Sequence, residues 1–245
     1  MTGMRATLSS EWFKLWTVRS TWWSLGAAVL LMGGCAAIMG SDFAGDVAEG
    51  RDTGGATSMA ITEPAANAAM IAQFGLIAFA MMAVTTEFAT GAIRSTFAAD
   101  PKRGRVLLAK SAAVAGATVP LALVMAVLGV VAGDATLGEY GTGGGVGAGV
   151  VSIGGYLVLS AVFTVGTAAF VRSAVGTLSA VIVLLLALPM MFTTGVWNFL
   201  PGGAGYVLLG RDDPPFSRAV AAAVLAVWAL AAQAAGYAAV RRRDV

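Results

Sequence analysis

Six stretches of about twenty apolar residues, each long enough to cross a bilayer, constrain this chain more than any other feature of it. They run over residues 21–40, 65–86, 106–132, 146–171, 174–194 and 219–240. At about 1.5 Å per residue, each helix would cover a hydrocarbon core of about 30 Å. Only Arg172-Ser173 separates the fourth from the fifth, so those two must form a hairpin that turns at the arginine. Composition agrees, since 58% of the 245 residues are hydrophobic and 11% are charged. A soluble domain carries about 25% charged residues, and so few charges could not cover the outside of a water-soluble core. The predicted fold class is therefore all-α, a polytopic membrane protein with six transmembrane helices.

The connecting segments orient the spans. Arg5, Lys14, Arg19, Arg94, Lys102, Arg103, Arg105, Lys110, Arg172, Arg241, Arg242 and Arg243 fall on one side, twelve of the fifteen basic residues. Arg51, Arg211 and Arg218 fall on the other, together with nine of the thirteen acids, among them Asp42, Asp46, Glu49, Asp52 and Glu63. The positive-inside rule puts the basic side in the cytoplasm. The expected location is the cell membrane, multi-pass, with both termini cytoplasmic.

Residues 1–20 form a separate element. Leu8, Trp12, Leu15 and Trp16 recur at helical spacing, while Arg5, Glu11, Lys14 and Arg19 keep polar positions. This predicts a short amphipathic helix lying in the inner interface, ahead of a transmembrane domain over 21–245. An aromatic belt extending the first span is the alternative. On the opposite side, 41–63 and the glycine-rich 133–145 read as flexible loops. In 195–216, two apolar pieces too short to cross suit a re-entrant outer hairpin between spans five and six, broken at Pro201-Gly202-Gly203.

The search for chemistry returns absences. One cysteine, Cys35, and no histidine leave no internal disulfide and no Cys/His metal site. The run Gly104 to Ser111 nearly spells a phosphate-binding loop, but Ala109 replaces the glycine before Lys110, and it sits at the mouth of a span. No nucleophile–base pair and no acid embedded in a span can be read, so neither an enzyme nor a proton-driven pump is expected. No catalytic residue, metal, cofactor or nucleic-acid partner is assigned.

Ser152, Tyr156, Ser160 and Thr164 recur every four residues on the fourth span. They are candidate pathway-lining residues, with interhelical hydrogen bonding as the plainer reading. Gly129 and Gly133 form a small-xxx-small pair for close helix contact, and Pro120 and Pro189 are candidate kinks.

The most distinctive segment lies between spans two and three, from Glu87 through Phe88, Gly91, Ala92, Ile93 and Arg94 to Lys102-Arg103-Gly104-Arg105. Its mixture of acids, bases and apolar residues suits a short helix offered to a partner protein, or a solvated loop whose arginines set topology. Glu87-x-x-x-Gly91-Ala92-Ile93-Arg94, followed by Lys102-Arg103-Gly104-Arg105 and a long apolar span, resembles the ATP-binding-cassette transporter permeases of the type-2 exporter family. The N-terminal amphipathic helix and the outer hairpin resemble further elements of that family; Ala92 departs from it, where threonine is frequent.

The resemblance implies that Glu87, Phe88, Gly91, Ile93 and Arg94 form an ATPase-coupling segment within 87–105. It implies a separate ATP-hydrolysing subunit and a second permease copy, identical or a close paralogue, beside membrane lipid. The expected function is the transmembrane subunit of an ATP-driven exporter of an apolar or amphipathic cargo. A non-transporting polytopic protein, such as an assembly factor or a sensor anchor, is the alternative.

Overall fold

The computed structural model describes residues 3–100, 102–192, 195–210 and 214–242. Pro101, Thr194, Arg211, Asp212, Asp213 and Arg243, which fall in segments read above, lie outside the described residues. Within them, six helices are long and apolar enough to cross a membrane. A first helix, α1 (Met4–Thr17), precedes the spans α2 (Arg19–Ala48), α3 (Glu63–Thr90), α5 (Arg103–Leu137) and α6 (Val146–Val171), with the short α4 (Ile93–Ala99) between α3 and α5. The fifth span is composite: α7 (Ala174–Ile182), a π-helical turn (Val183–Ala187) and α8 (Leu188–Met191). A 3₁₀ turn (Gly195–Phe199) and α9 (Pro201–Leu209) lead to the last span, α10 (Arg218–Arg242).

Contacts fix the alternation. At the basic end, Trp22 Nε1 donates to the Trp16 carbonyl at 3.3 Å. At the same end the Arg172 Nη2 after α6 donates to Ala239 O of α10 at 2.9 Å. Its guanidinium lies 5.1 Å from the centroid of the Phe88 ring at the close of α3. At the acidic end, β1 (Met59–Ala60) pairs in parallel with β2 (Gly141–Thr142), joining the connection before α3 to the one before α6. Thr142 Oγ1 donates to Met59 O at 3.2 Å there.

Two helices overrun the sequence limits furthest, both at the acidic end. The prediction ended span one at Gly40 and span three at Ala132, but α2 continues to Ala48 and α5 to Leu137. Charges such as Asp42 and Asp134 mark where hydrocarbon would end; they do not end a helix, because the ladder of backbone hydrogen bonds continues into water. Residues 41–48 and 133–137, read as loop, are therefore helical. Beyond α2, Arg51 bridges Asp46 at 2.6 Å and also Glu49.

The core is rich in alanine, and such small residues let backbones approach closely. Ala28, Met32 and Ala36 of α2 meet Ala65, Ala68, Ala69 and Ala72 of α3, and Ala122, Met125 and Ala126 of α5. Gly129 takes part as predicted: a Cβ there would lie 2.6 Å from Met32 Cε and 3.0 Å from Ala65 Cβ. The outward flanks are large and apolar, including Leu30 at 76% exposed and Trp23 at 80%. Such flanks suit a lipid solvent.

The two prolines behave differently. Pro120 lies inside α5, which continues through it. Pro189 follows the π-helical turn; lacking an N–H, it cannot complete an α-helical bond to Leu185 O, and the wider turn stands there instead. The break expected at Pro201-Gly202-Gly203 falls one residue earlier, at extended Leu200, and Pro201 opens α9. Proline suits that first helical position. Gly202 is required there by close approach, since a Cβ would lie 2.5 Å from Leu185 O and 2.3 Å from Pro189 Cγ.

Candidate functional site

The densest polar arrangement lies where α1, α3, α4 and α5 meet at the basic end. α1 turns Thr7, Glu11 and Leu15 inward, successive positions on one helical face. The predicted amphipathic pattern left Glu11 among the polar positions; the structure buries it to 2% exposed and leaves Phe13 at 70%. The reason is a partner remote in sequence. Lys110, two turns inside α5 and 4% exposed, donates to Glu11 Oε2 at 2.5 Å.

Glu87 joins this pair from the last turn of α3. Its Oε1 accepts from Lys14 Nζ at 2.9 Å and from Lys110 Nζ at 3.1 Å. Lys14 also reaches Glu11 at 2.7 Å and Thr96 Oγ1 of α4 at 3.3 Å. Two carboxylates and two ammonium groups thus balance in one cluster, with Glu11 and Lys110 buried, Glu87 nearly so and Lys14 half-exposed at its edge; such pairing is how buried charge becomes tolerable. Burial alone would pull the Lys14 ammonium down, but hydrogen bonds to Glu11 and Glu87 outweigh it and raise its pKa above the ordinary lysine value.

A second buried acid secures α4 from its far end. Asp100 Oδ2 accepts from Thr7 Oγ1 at 2.8 Å and from Arg105 Nε at 2.6 Å, and Arg105 Nη2 donates to the other carboxylate oxygen. The Lys102 backbone N–H adds a bond at 3.1 Å. The Arg105 guanidinium holds this carboxyl well below the usual carboxylate range, against the opposing effect of burial. Bidentate pairing of this kind also fixes orientation.

Between these anchors the chain reverses at Gly91, whose φ of 73° ends α3 in the left-handed region that favours glycine. α4 then buries Ile93, at 3% exposed, and tucks Thr96 and Phe97 partly inside. Arg94, Ser95 and Ala98 remain exposed on its outer face. Of the five residues assigned to coupling, Glu87 and Ile93 thus face inward, Phe88 lies half-buried under Arg172, and Gly91 and Arg94 face out.

The polar stripe of α6 occupies another region. Ser152, Tyr156, Ser160 and Thr164 are all buried, from 9% exposed down to none. Tyr156 donates to Gln73 Oε1 of α3 at 2.7 Å, and Thr164 bonds back to Ser160 O at 2.7 Å. The structure does not bring this stripe to the basic-end cluster. Among the described residues, no three Cys, Asp or Glu side chains converge as metal ligands.

Sequence reasoning missed Thr7, Asp100, Gln73 and the true setting of Lys110. One signal was present: Lys110 lies within the span predicted over 106–132, and an ionisable residue inside a span calls for a partner. Glu87, one residue outside the second span, was the nearest candidate. Compared with known proteins, the chain matches no family model and no curated sequence.

Proposed function

We propose that this chain is the permease subunit of an ATP-driven transporter, of the type-2 exporter kind, coupled to a separate ATPase through the 87–105 segment. The observation that carries this reading is the mounting of α4. It is a short helix flanked by two ion pairs, Glu87–Lys110 at 3.1 Å between α3 and α5 and Asp100–Arg105 just past its last turn, and it joins the first through Thr96, whose Oγ1 accepts from Lys14 Nζ at 3.3 Å; Arg94 and Ser95 are exposed on its outer face. A helix anchored this firmly suits transmission of a push: force applied at Arg94 would reach α3 and α5 together, and α1 through Glu11 and Thr7.

In this reading the basic end faces the cytoplasm, by the charge distribution along the chain. The setting is the cell membrane, with both termini inside. α1 rests at the inner interface, where its exposed Trp12 and Phe13 suit the headgroup level. Two copies, or this chain and a close paralogue, would flank one substrate path above two ATPase subunits. The scarcity of charge along the spans favours export of an apolar or amphipathic cargo.

A re-entrant outer element fits the same reading. Trp228, ten residues into α10, donates to Phe199 O at 2.8 Å. On α6, Tyr156, also ten residues from its helix start, has its Cε2 2.5 Å from where a Cβ on Gly205 would stand. Ten residues of helix correspond to about 15 Å, so the 195–209 segment would dip about halfway into the bilayer from outside. Its α9 part is buried against α6, α8 and α10, the condition under which short, broken helices are tolerated at membrane depth.

The test is co-purification from native membranes in mild detergent. The expected result is an ATP-hydrolysing subunit retained with the chain, and lost or weakened when exposed Arg94 is replaced by Glu with the monomer's thermal stability unchanged. A chain that purifies without any nucleotide-binding subunit would support the non-transporting alternative.

A further inference from the structure

At the basic end, α5 and α10 part around a groove of about 580 Å³ lined by Lys102, Arg103, Arg105 and Arg241, with Tyr237 and Leu108. Among the described residues no acidic side chain lines it. Each cation is held differently. Arg105 is engaged by Asp100, Arg103 lies over the Phe97 ring at 5.4 Å, and Arg241 lies over Tyr237 at 5.6 Å, while Lys102 is exposed. Tyr237 comes so close to the start of α5 that a Cβ on Gly104 would stand 2.0 Å from its ring.

The groove has a charged rim and an apolar side. Leu108, 52% exposed, and Tyr237, 36% exposed, lead from the cations onto the outer flanks of α5 and α10, where Leu230 is 68% exposed. Further in, the two helices close. Ser111 Oγ donates to Gln233 Oε1 at 2.8 Å, and Gln233 Nε2 donates to Val162 O of α6 at 2.8 Å. A ligand head therefore rests at the rim, and anything attached to it runs outward along the apolar flank.

From this geometry we infer that the groove binds the phosphate headgroup of an anionic phospholipid from the leaflet facing the basic end, with an acyl chain lying along Leu108. Phosphate oxygens match guanidinium and ammonium donors, basic pockets between spans bind anionic headgroups, and tyrosine favours the headgroup level. A free phosphate would use the cations but leave the apolar flank without a role. The inference depends on the chain spanning a bilayer and is independent of any ATPase partner.

Native mass spectrometry of the purified chain tests it, with phosphatidylglycerol, phosphatidylcholine and inorganic phosphate titrated separately and in competition. Phosphatidylglycerol is expected to be retained about tenfold better than phosphatidylcholine. Combining Lys102→Gln, Arg103→Gln and Arg241→Gln should remove most of that preference, whereas Arg103→Lys with Arg241→Lys should keep it. If the triple variant fails to fold, Arg241→Gln alone at the exposed helix end should still lower retention severalfold. Equal retention of the two lipids by the wild type overturns the proposal, as does a preference that survives removal of the cations. Full displacement of phosphatidylglycerol by inorganic phosphate assigns the groove to a free anion. Unchanged lipid retention with loss of a co-purifying protein assigns it to a protein surface.

Discussion

Lys110 of α5 and Glu11 of α1 lie ninety-nine residues apart in sequence and form an ion pair of 2.5 Å in which neither side chain is more than 5% exposed. Through Glu87 the pair also reaches α3. The N-terminal helix is therefore fastened to the transmembrane helices by buried charge, and is more than an amphipathic segment resting on the bilayer.

Removing Lys110 leaves buried Glu11 and Glu87 to share the half-exposed Lys14, at a cost of up to about 3–5 kcal/mol, the range for breaking a buried pair. Lys110→Met is expected to lower the thermal unfolding temperature in detergent sharply. Adding Glu11→Gln to it should recover part of the loss, because one stranded charge is then removed. A double-mutant cycle of melting temperatures checks this; additive effects would mean that the two residues do not interact.

Asp100 gives a pH signature. Its carboxyl is held below the ordinary range by Arg105, so its contribution is present above the unfolded value of about 3.9 and is lost as pH falls through the folded one. Acidification from neutrality to about pH 5 should therefore leave the anchor intact. Asp100→Asn should loosen it throughout the range in which the wild-type carboxyl is ionised. Hydrogen exchange across Met4–Thr17 is the measurement: faster exchange is expected in the variant at neutral pH, and no change in the wild type on mild acidification.

The buried stripe of α6 yields a test that separates its two readings. Tyr156→Phe strands Gln73 Oε1, a buried acceptor, and should destabilise the chain by about 1 kcal/mol. Gln73→Leu added to it should restore much of the stability. If the stripe instead lined a substrate path, Tyr156→Phe would change transport while leaving melting unaltered. Comparing unfolding temperature with transport in reconstituted vesicles distinguishes the two.

How much of this was legible in the sequence depended on whether each signal was local. The fourth span matches its predicted limits, Val146–Val171, because left-handed residues stop it at both ends, Gly145 with φ 66° and Arg172 with φ 62°. The arginine at that turn was the visible marker. α2 and α5 ran past their predicted ends because hydropathy reports the solvent around a helix and not its backbone. The π-helical turn before Pro189 left only the proline as a trace. The candidate site was half legible. The segment from Glu87 to Arg94 stood out by composition, but Glu11 and Thr7 were hidden, since their partners Lys110 and Asp100 come from remote parts of the chain. A carboxylate without a visible partner reads as solvated.

The central claim, that α4 is the surface driven by an ATPase, is tested most directly by cross-linking from it. A photoreactive residue in place of exposed Ser95, activated in native membranes, should trap a polypeptide that carries a complete phosphate-binding loop and hydrolyses ATP. The yield should change when a non-hydrolysable nucleotide is added. Trapping of lipid alone at Ser95, in membranes where the chain is folded and abundant, would contradict the account.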